Sequence, residues 1–171
     1  MQLIAETPRL KLVEVTDRDV GPIFQLTGNE KVMEFFPKVL SYDDAQQMVQ
    51  KILHQYAEYG YCFWKVLLKP GDQFVGITGL LHQEIDNKPE TEISYRMLPE
   101  HWKKGYATEA AKACKQYAET KLGRKRLISL IRPQNDASIR VASRLGAKRT
   151  KSVLFLGEEH DVYVYEPQRI A

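Results

Sequence analysis

The chain has 171 residues, 43% of them apolar and 27% charged, and a formal net charge of +3. This suits one domain with a sizeable core, since a fold of this length buries roughly 70% of its unfolded surface. It excludes a disordered chain, a nucleic-acid binder resting on net charge, and a helical membrane span, because no apolar run nears the ~20 residues a bilayer needs.

Leu10–Val15 reads as a strand by its alternation of apolar and polar residues. Thr16–Asp19 then looks like a helix start, with Val20, Ile23, Phe24 and Thr27 on one side; Pro22, late for a first turn, moves that start a few residues on. Ser41-Tyr-Asp-Asp44 has the spacing of a capping box, and behind it Ala45, Met48, Val49, Ile52 and Tyr56 recur as one face of a helix. Tyr61–Leu68, rich in aromatic and β-branched residues, predicts a strand. Pro70–Asp72 predicts a turn, and Gln73–Leu81 the returning strand. Gly76 and Gly79 inside that strand signal close backbone approach or a bulge. Asp86–Pro89 makes another turn before a third strand, Glu90–Met97. This much is an antiparallel meander.

The pattern then changes. Tyr106–Lys121 predicts a helix, with Ala107, Ala110, Ala111, Cys114, Tyr117 and Ala118 on one face and Gly123 closing it. Arg126–Ile131 is short and nearly all apolar, as expected of a strand buried on both faces. Pro133-Gln-Asn135 leads into a helix that Asn135 can cap, with Ile139, Ala142 and Leu145 as its stripe and Gly146 as its end. Two strands follow near Ser152–Leu156 and His160–Glu166, joined at Gly157. The order is β-α-α-β-β-β-α-β-α-β-β, a mixed α/β fold in one domain over residues 1–171. Cys62 and Cys114 provide neither a disulfide framework nor a metal-ligand spacing, and Met1–Arg9 lacks the regions of a signal peptide. A reduced, cytoplasmic protein without a metal is expected.

The most telling stretch is Pro99–Ala111, where a strand turns into a helix through Lys103, Lys104, Gly105 and Ala107. The first backbone N–H groups of a helix lack intrahelical partners, and together with the positive end of the helix dipole they attract an anion, above all a phosphate. Gly105 and Ala107 let a diphosphate come close to the backbone. Two further basic runs, Lys121–Arg132 and Lys148–Lys151, read as a solvated surface or as a patch facing an outer phosphate.

Four features give this chain a resemblance to the GCN5-related N-acetyltransferases (GNAT), and within them to the RimJ/RimL-type ribosomal-protein N-terminal acetyltransferases. They are the element order, the opening Thr7-Pro-Arg-Leu-Lys-Leu, the segment Glu92–Ala110, and Asn135-Asp-Ala-Ser138 followed by Ser143-Arg-Leu-Gly146. The resemblance implies a central, mostly antiparallel sheet of about seven strands, splayed at a cofactor cleft and flanked by about four helices. It implies acetyl-CoA as cofactor. Its diphosphate would lie on the amides of Lys103, Lys104, Gly105, Tyr106, Ala107 and Thr108, and its pantetheine arm against Tyr95, Met97 and Asn135. The residue that in many members is a proton-donating Tyr is here Ala142, and the aromatic often found after the helix-ending glycine is Ala147.

Acetyl transfer from a thioester needs the reactants held together and the amine neutral. An α-amine of pKa about 7.7–8 is partly neutral at cellular pH, and a general base helps further. Glu92 matches the acidic residue that opens this strand in the RimJ/RimL branch. The period of two puts it on one face with Ser94 and Arg96, so it is the candidate base; the alternative is a surface carboxylate paired with a Lys or Arg. Ser138 is the candidate to stabilise the leaving thiolate; otherwise it is a first-turn Ser bonded to backbone. The acceptor would be a peptide N-terminus or a small amine. It would be selected near Val32–Pro37, where Phe35 and Phe36 wall a pocket or simply fill the core, and near Glu84–Pro89, with Glu34, Glu84 and Asp86 drawing a cationic amine. His82 is the histidine nearest the presumed cleft. No membrane or nucleic-acid partner is expected, and a homodimer is left open. A CoA-binding module without catalysis is the competing reading.

Overall fold

Why the chain opens where it does is visible in its sheet. The computed structural model describes residues 2–166. Its elements are β1 (Leu3–Glu6), β2 (Leu10–Glu14), α1 (Val20–Thr27), α2 (Tyr42–Tyr59), β3 (Phe63–Leu68), β4 (Gln73–Ile85), β5 (Lys88–Met97), a 3₁₀ turn at Pro99–His101, α3 (Tyr106–Lys121), β6 (Leu127–Ile131), α4 (Asp136–Arg144), β7 (Ala147–Phe155) and β8 (Glu158–Tyr165). The strands form one sheet in the order β1-β2-β3-β4-β5-β6-β8-β7. Every neighbouring pair is antiparallel except β5 and β6.

The sheet has eight strands rather than the seven expected. The extra one is β1, a four-residue edge strand paired only with β2 and half exposed at Leu3, so it leaves no apolar alternation in the sequence. β7 begins at Ala147 instead of Ser152 for the same reason: Lys148–Ser152 lies exposed on the opposite edge. The turn between β4 and β5 is also tighter than Asp86–Pro89. Only Asp86 and Asn87 leave the ladder, with φ of 51° and 63°, the two left-handed residues of a type I′ hairpin. Pro89 sits inside β5, opposite Glu84.

Helices cover both faces. α3 and α4 pack with Leu12, Trp64, Val66, Ile93 and Met97, and α1 and α2 pack with Val15, Phe63 and Ile77 on the other face. The capping box of α2 is present, Ser41 Oγ accepting from Asp44 N and Asp44 Oδ2 accepting from Ser41 N. A third cluster, Ile85, Ile128, Val162 and Val164, lies past the β5–β6 junction with Phe155 against it. Gly76 and Gly79 are close-approach positions. A Cβ on Gly76 would strike the Arg96 carbonyl and Met97, and one on Gly79 the Cys62 carbonyl and Phe63. The β3–β4 register also shifts at Val66/Leu67, so both meanings of the glycine signal apply.

β5 and β6 are joined at a single register pair, Glu92 with Ile128. Beyond it Ser94–Met97 keeps β4 on one side and has no strand on the other. Among the described residues no helix is long and apolar enough to cross a membrane.

Candidate active site

Side chains hold β5 and β6 apart by taking backbone groups that a continuing ladder would use. The Ile93 carbonyl accepts from Ser129 Oγ at 2.7 Å, and that hydroxyl also meets Tyr165 Oη at 2.8 Å. Leu130 N donates to Glu92 Oε2 at 3.3 Å, and Tyr95 Oη crosses the gap to donate to the Ser138 carbonyl at 2.8 Å. These three groups are thus satisfied without closing the sheet, and the β5 edge beyond Ile93 keeps no strand partner. The resulting cleft, about 760 Å³, is lined from both faces of the sheet: by Glu92, Ser94 and Arg96 on one side of β5, and by Tyr95, Asn135 and Ser138 towards α4. It therefore runs through the sheet rather than along it.

Glu92 lines the cleft where β5 and β6 part. It is 7% exposed and accepts from Gln83 Nε2 at 3.0 Å as well as from Leu130 N. Burial pushes its carboxyl up to about 7, against the opposing pull of those two donors and of Arg96. It is not a surface carboxylate, and among the described residues it has no Lys or Arg within ion-pair distance.

The loop before α3 has the backbone of an anion nest. Lys103 has φ +61° and Gly105, the residue before the helix, φ +82°. A lysine in that region is strained, the kind of outlier that marks functional loops. The first helical bond runs from Glu109 N to the Gly105 carbonyl, and among the described residues no acceptor takes the N–H groups of Lys103 to Thr108. Trp102 steers the chain into this turn, its indole N–H donating to the Met97 carbonyl at 2.7 Å.

A second clamp was legible only as part of the opening motif. Thr7 Oγ1 and Arg9 N both donate to Glu109 Oε1, at 2.6 and 2.9 Å, and Arg9 Nε donates to Oε2 at 2.7 Å. Arg9 also donates from Nη1 to the Lys104 carbonyl at 2.8 Å and lies over the Tyr106 ring. Burial pulls the Glu109 carboxyl upwards, but these donors hold it below the usual range. The residues just before β2 thereby fasten both ends of the nest. Glu109→Ala is expected to raise the KM for acetyl-CoA by about tenfold, the scale of one lost charged hydrogen bond, with kcat nearly unchanged. Steady-state kinetics with varied cofactor checks it.

The remaining candidates divide. Asn135 caps α4, accepting from Ser138 N at 3.2 Å, and both residues line the cleft. Gly105 and Thr108 border a separate depression with Lys112 and Arg144, and none of residues 103–108 lines the cleft. Phe35 and Phe36 do wall the cleft, and so does His82, stacked on Tyr59 at 4.4 Å. Glu34, Glu84 and Asp86 do not: Glu34 and Glu84 are exposed, and Asp86 is bound to Lys151 at 2.6 Å. No residue of the 84–89 segment lines the cleft. Cys114 is core, its thiol pushed up to about 12 by burial. Much of the basic surface is paired: Arg126 with Glu90, Arg132 with Glu158, Arg149 with Asp161. Sequence reasoning missed Gln83, Ser129 and Tyr165, which are ordinary strand residues until the register is known.

Residues 9–148 match the family model described as an acetyltransferase (GNAT) domain. The protein YkkB of Bacillus subtilis is 32% identical over 148 residues, 86% of each chain. YoaA of the same organism, described as an N-acetyltransferase, is 28% identical over 85% of this chain and 83% of its own. Among solved structures, a GNAT-family acetyltransferase from Bacillus anthracis superposes with a TM-score of 0.76 at 25% identity, covering 94% and 95% of the two chains. RimL, a ribosomal L7/L12 alpha-N-protein acetyltransferase in complex with coenzyme A, superposes with a TM-score of 0.75 at 21% identity, covering 96% of each.

Proposed function

The chain belongs to the GNAT family of acetyltransferases, and from that premise we propose that it moves the acetyl group of acetyl-CoA to a primary amine, a peptide N-terminal α-amine or the amine of a small molecule. A RimJ/RimL-like role is supported by the fold shared with RimL and by the Thr7–Arg9 clamp on α3. The observation that carries the reading is Glu92: a buried carboxyl, held at about 7, lining a cleft that passes through the sheet.

The open amides of Lys103, Lys104, Gly105, Tyr106, Ala107 and Thr108 fit a diphosphate. The strand-free edge of β5 at Tyr95 and Met97, where the Met97 carbonyl already takes the Trp102 indole N–H, with Asn135 across the gap, fits an amide-bearing arm. Acetyl-CoA, when bound, supplies an already activated thioester. The chain's own part is to orient and to move protons. Glu92, directly or through a water, takes the proton that the attacking amine must lose. A carboxyl near 7 is matched to that task far better than one near 4.5. Ser138, which lines the cleft on the α4 side, would stabilise the departing sulfur. The setting proposed is the reducing cytoplasm, in one domain.

A thiol-release screen tests the proposal, with acetyl-CoA against peptides beginning Ser, Ala and Met, polyamines, amino acids and aminoglycosides. Release with at least one amine is expected. CoA binding without release against any of them would leave the non-catalytic module.

A further inference from the structure

Among the described residues the cleft holds an arginine with no carboxylate in contact, although Glu92 lies within reach of its field. Arg96 lies on the Glu92 face of β5, four residues along, about 13 Å between Cα atoms at strand spacing. Its guanidinium is sandwiched between Phe36, 3.8 Å from the ring centroid, and Phe63, at 5.3 Å. Its Nε is buried without a hydrogen-bond partner, and Nη1 finds only the Met33 sulfur at 3.7 Å. Two of the other cations lining the same cleft have carboxylate partners, whereas Lys51 lines it without one among the described residues. Lys38 pairs with Asp44, which also completes the α2 capping box, and Arg132 pairs with Glu158. Among the described residues Arg96 has no carboxylate within 4 Å. Burying an arginine this way costs stability unless something completes it. Two aromatic rings lie against the guanidinium, and the residue lines the cavity.

We infer that Arg96 receives a carboxylate carried by the amine acceptor. This rests on the amine acetylation proposed above and narrows it: the acceptor presents an amine towards Glu92 and an anionic carboxylate towards Arg96. A planar guanidinium matches a carboxylate in bidentate geometry, and its aromatic walls keep out competing water. The acceptor is then either a small amino acid or a peptide with an acidic residue near its N-terminus. Arg96 selects by charge, whereas the carboxylates of the 84–89 turn have no part in it.

The test uses matched acceptor pairs: amino acids against their amides, and C-terminally amidated Ala-Glu against Ala-Gln peptides. Wild-type kcat/KM is expected to favour the acid over its amide by about tenfold or more in at least one pair, the scale of a charged bidentate contact. Which pair shows it distinguishes the two sources. Arg96→Leu is expected to bring that ratio to about one, and Arg96→Lys to restore part of it. The N-acetylated products, titrated calorimetrically into the CoA complex, read the same preference without turnover. The Tm of Arg96→Leu is expected to be no lower than wild type, because a leucine between Phe36 and Phe63 removes an unpaired buried charge. Equal turnover and equal product binding for acid and amide in every wild-type pair would overturn the inference. So would an unchanged ratio in Arg96→Leu together with a lowered Tm, the mark of a purely structural arginine. If no amine is acetylated at all, the acetyl-transfer reading fails, and product binding alone then decides for or against Arg96.

Discussion

Replacing Glu92 by Gln is expected to cut kcat by about 10²- to 10⁴-fold, the range a positioned general base supplies, while leaving CoA affinity near wild type. Gln keeps the shape and an acceptor for Leu130 N or Gln83, so the cleft should persist. The pH profile separates this from simple damage. The wild-type rate rises with pH as Glu92 loses its proton, with an inflection near 7, and any limb from an α-amine follows near 8. The variant loses the limb near 7 and keeps the later one. Stability moves the other way. The unfolded chain releases this proton near 4.5 and the folded chain near 7. Between those values the folded state holds more protons, so Glu92 erodes stability as pH rises through that window and no further above it. Glu92→Gln is therefore expected to be more stable than wild type above pH 7, by on the order of 1–3 kcal/mol. Rate–pH profiles and denaturant melts at pH 5 and 8 check both halves.

The second large effect is at the nest. Gly105 has φ +82°, where a side chain costs roughly 1–2 kcal/mol, and its added Cβ would lie 3.2 Å from Arg9 Nη2. Gly105→Glu adds a negative charge beside the open amides and a competitor for Arg9, which otherwise holds Lys104 and Glu109. A diphosphate would meet repulsion where it now meets donors. CoA affinity is expected to fall by about 100-fold or more, against about tenfold or less for Gly105→Ala, which carries the strain without the charge.

Much of this was readable before any coordinates. The capping box at Ser41, the apolar face of α3, the cap at Asn135 and the nest around Gly105 are local signals, carried by neighbours in the chain, and each appears where its spacing puts it. The alternation that set Glu92, Ser94 and Arg96 on one face was equally local. What was not legible depended on partners far along the chain. β1 and the start of β7 lie on sheet edges and bury too little to be patterned. The depth of Glu92 depends on Gln83 and Leu130, and the loneliness of Arg96 on which carboxylates the fold spends elsewhere. The acidic turn near Asp86 drew attention as an amine trap because its charge is plain in the sequence, whereas its attachment to Lys151 is not.

The central claim is that unclaimed backbone amides at the start of α3 bind the cofactor's diphosphate. A titration of ¹⁵N-labelled protein with CoA, followed by amide chemical shifts in wild type and Gly105→Glu, tests it most directly. The account predicts large shifts at Lys103 to Thr108 in wild type, absent in the variant. Saturable CoA binding that leaves those six amides unmoved would contradict it.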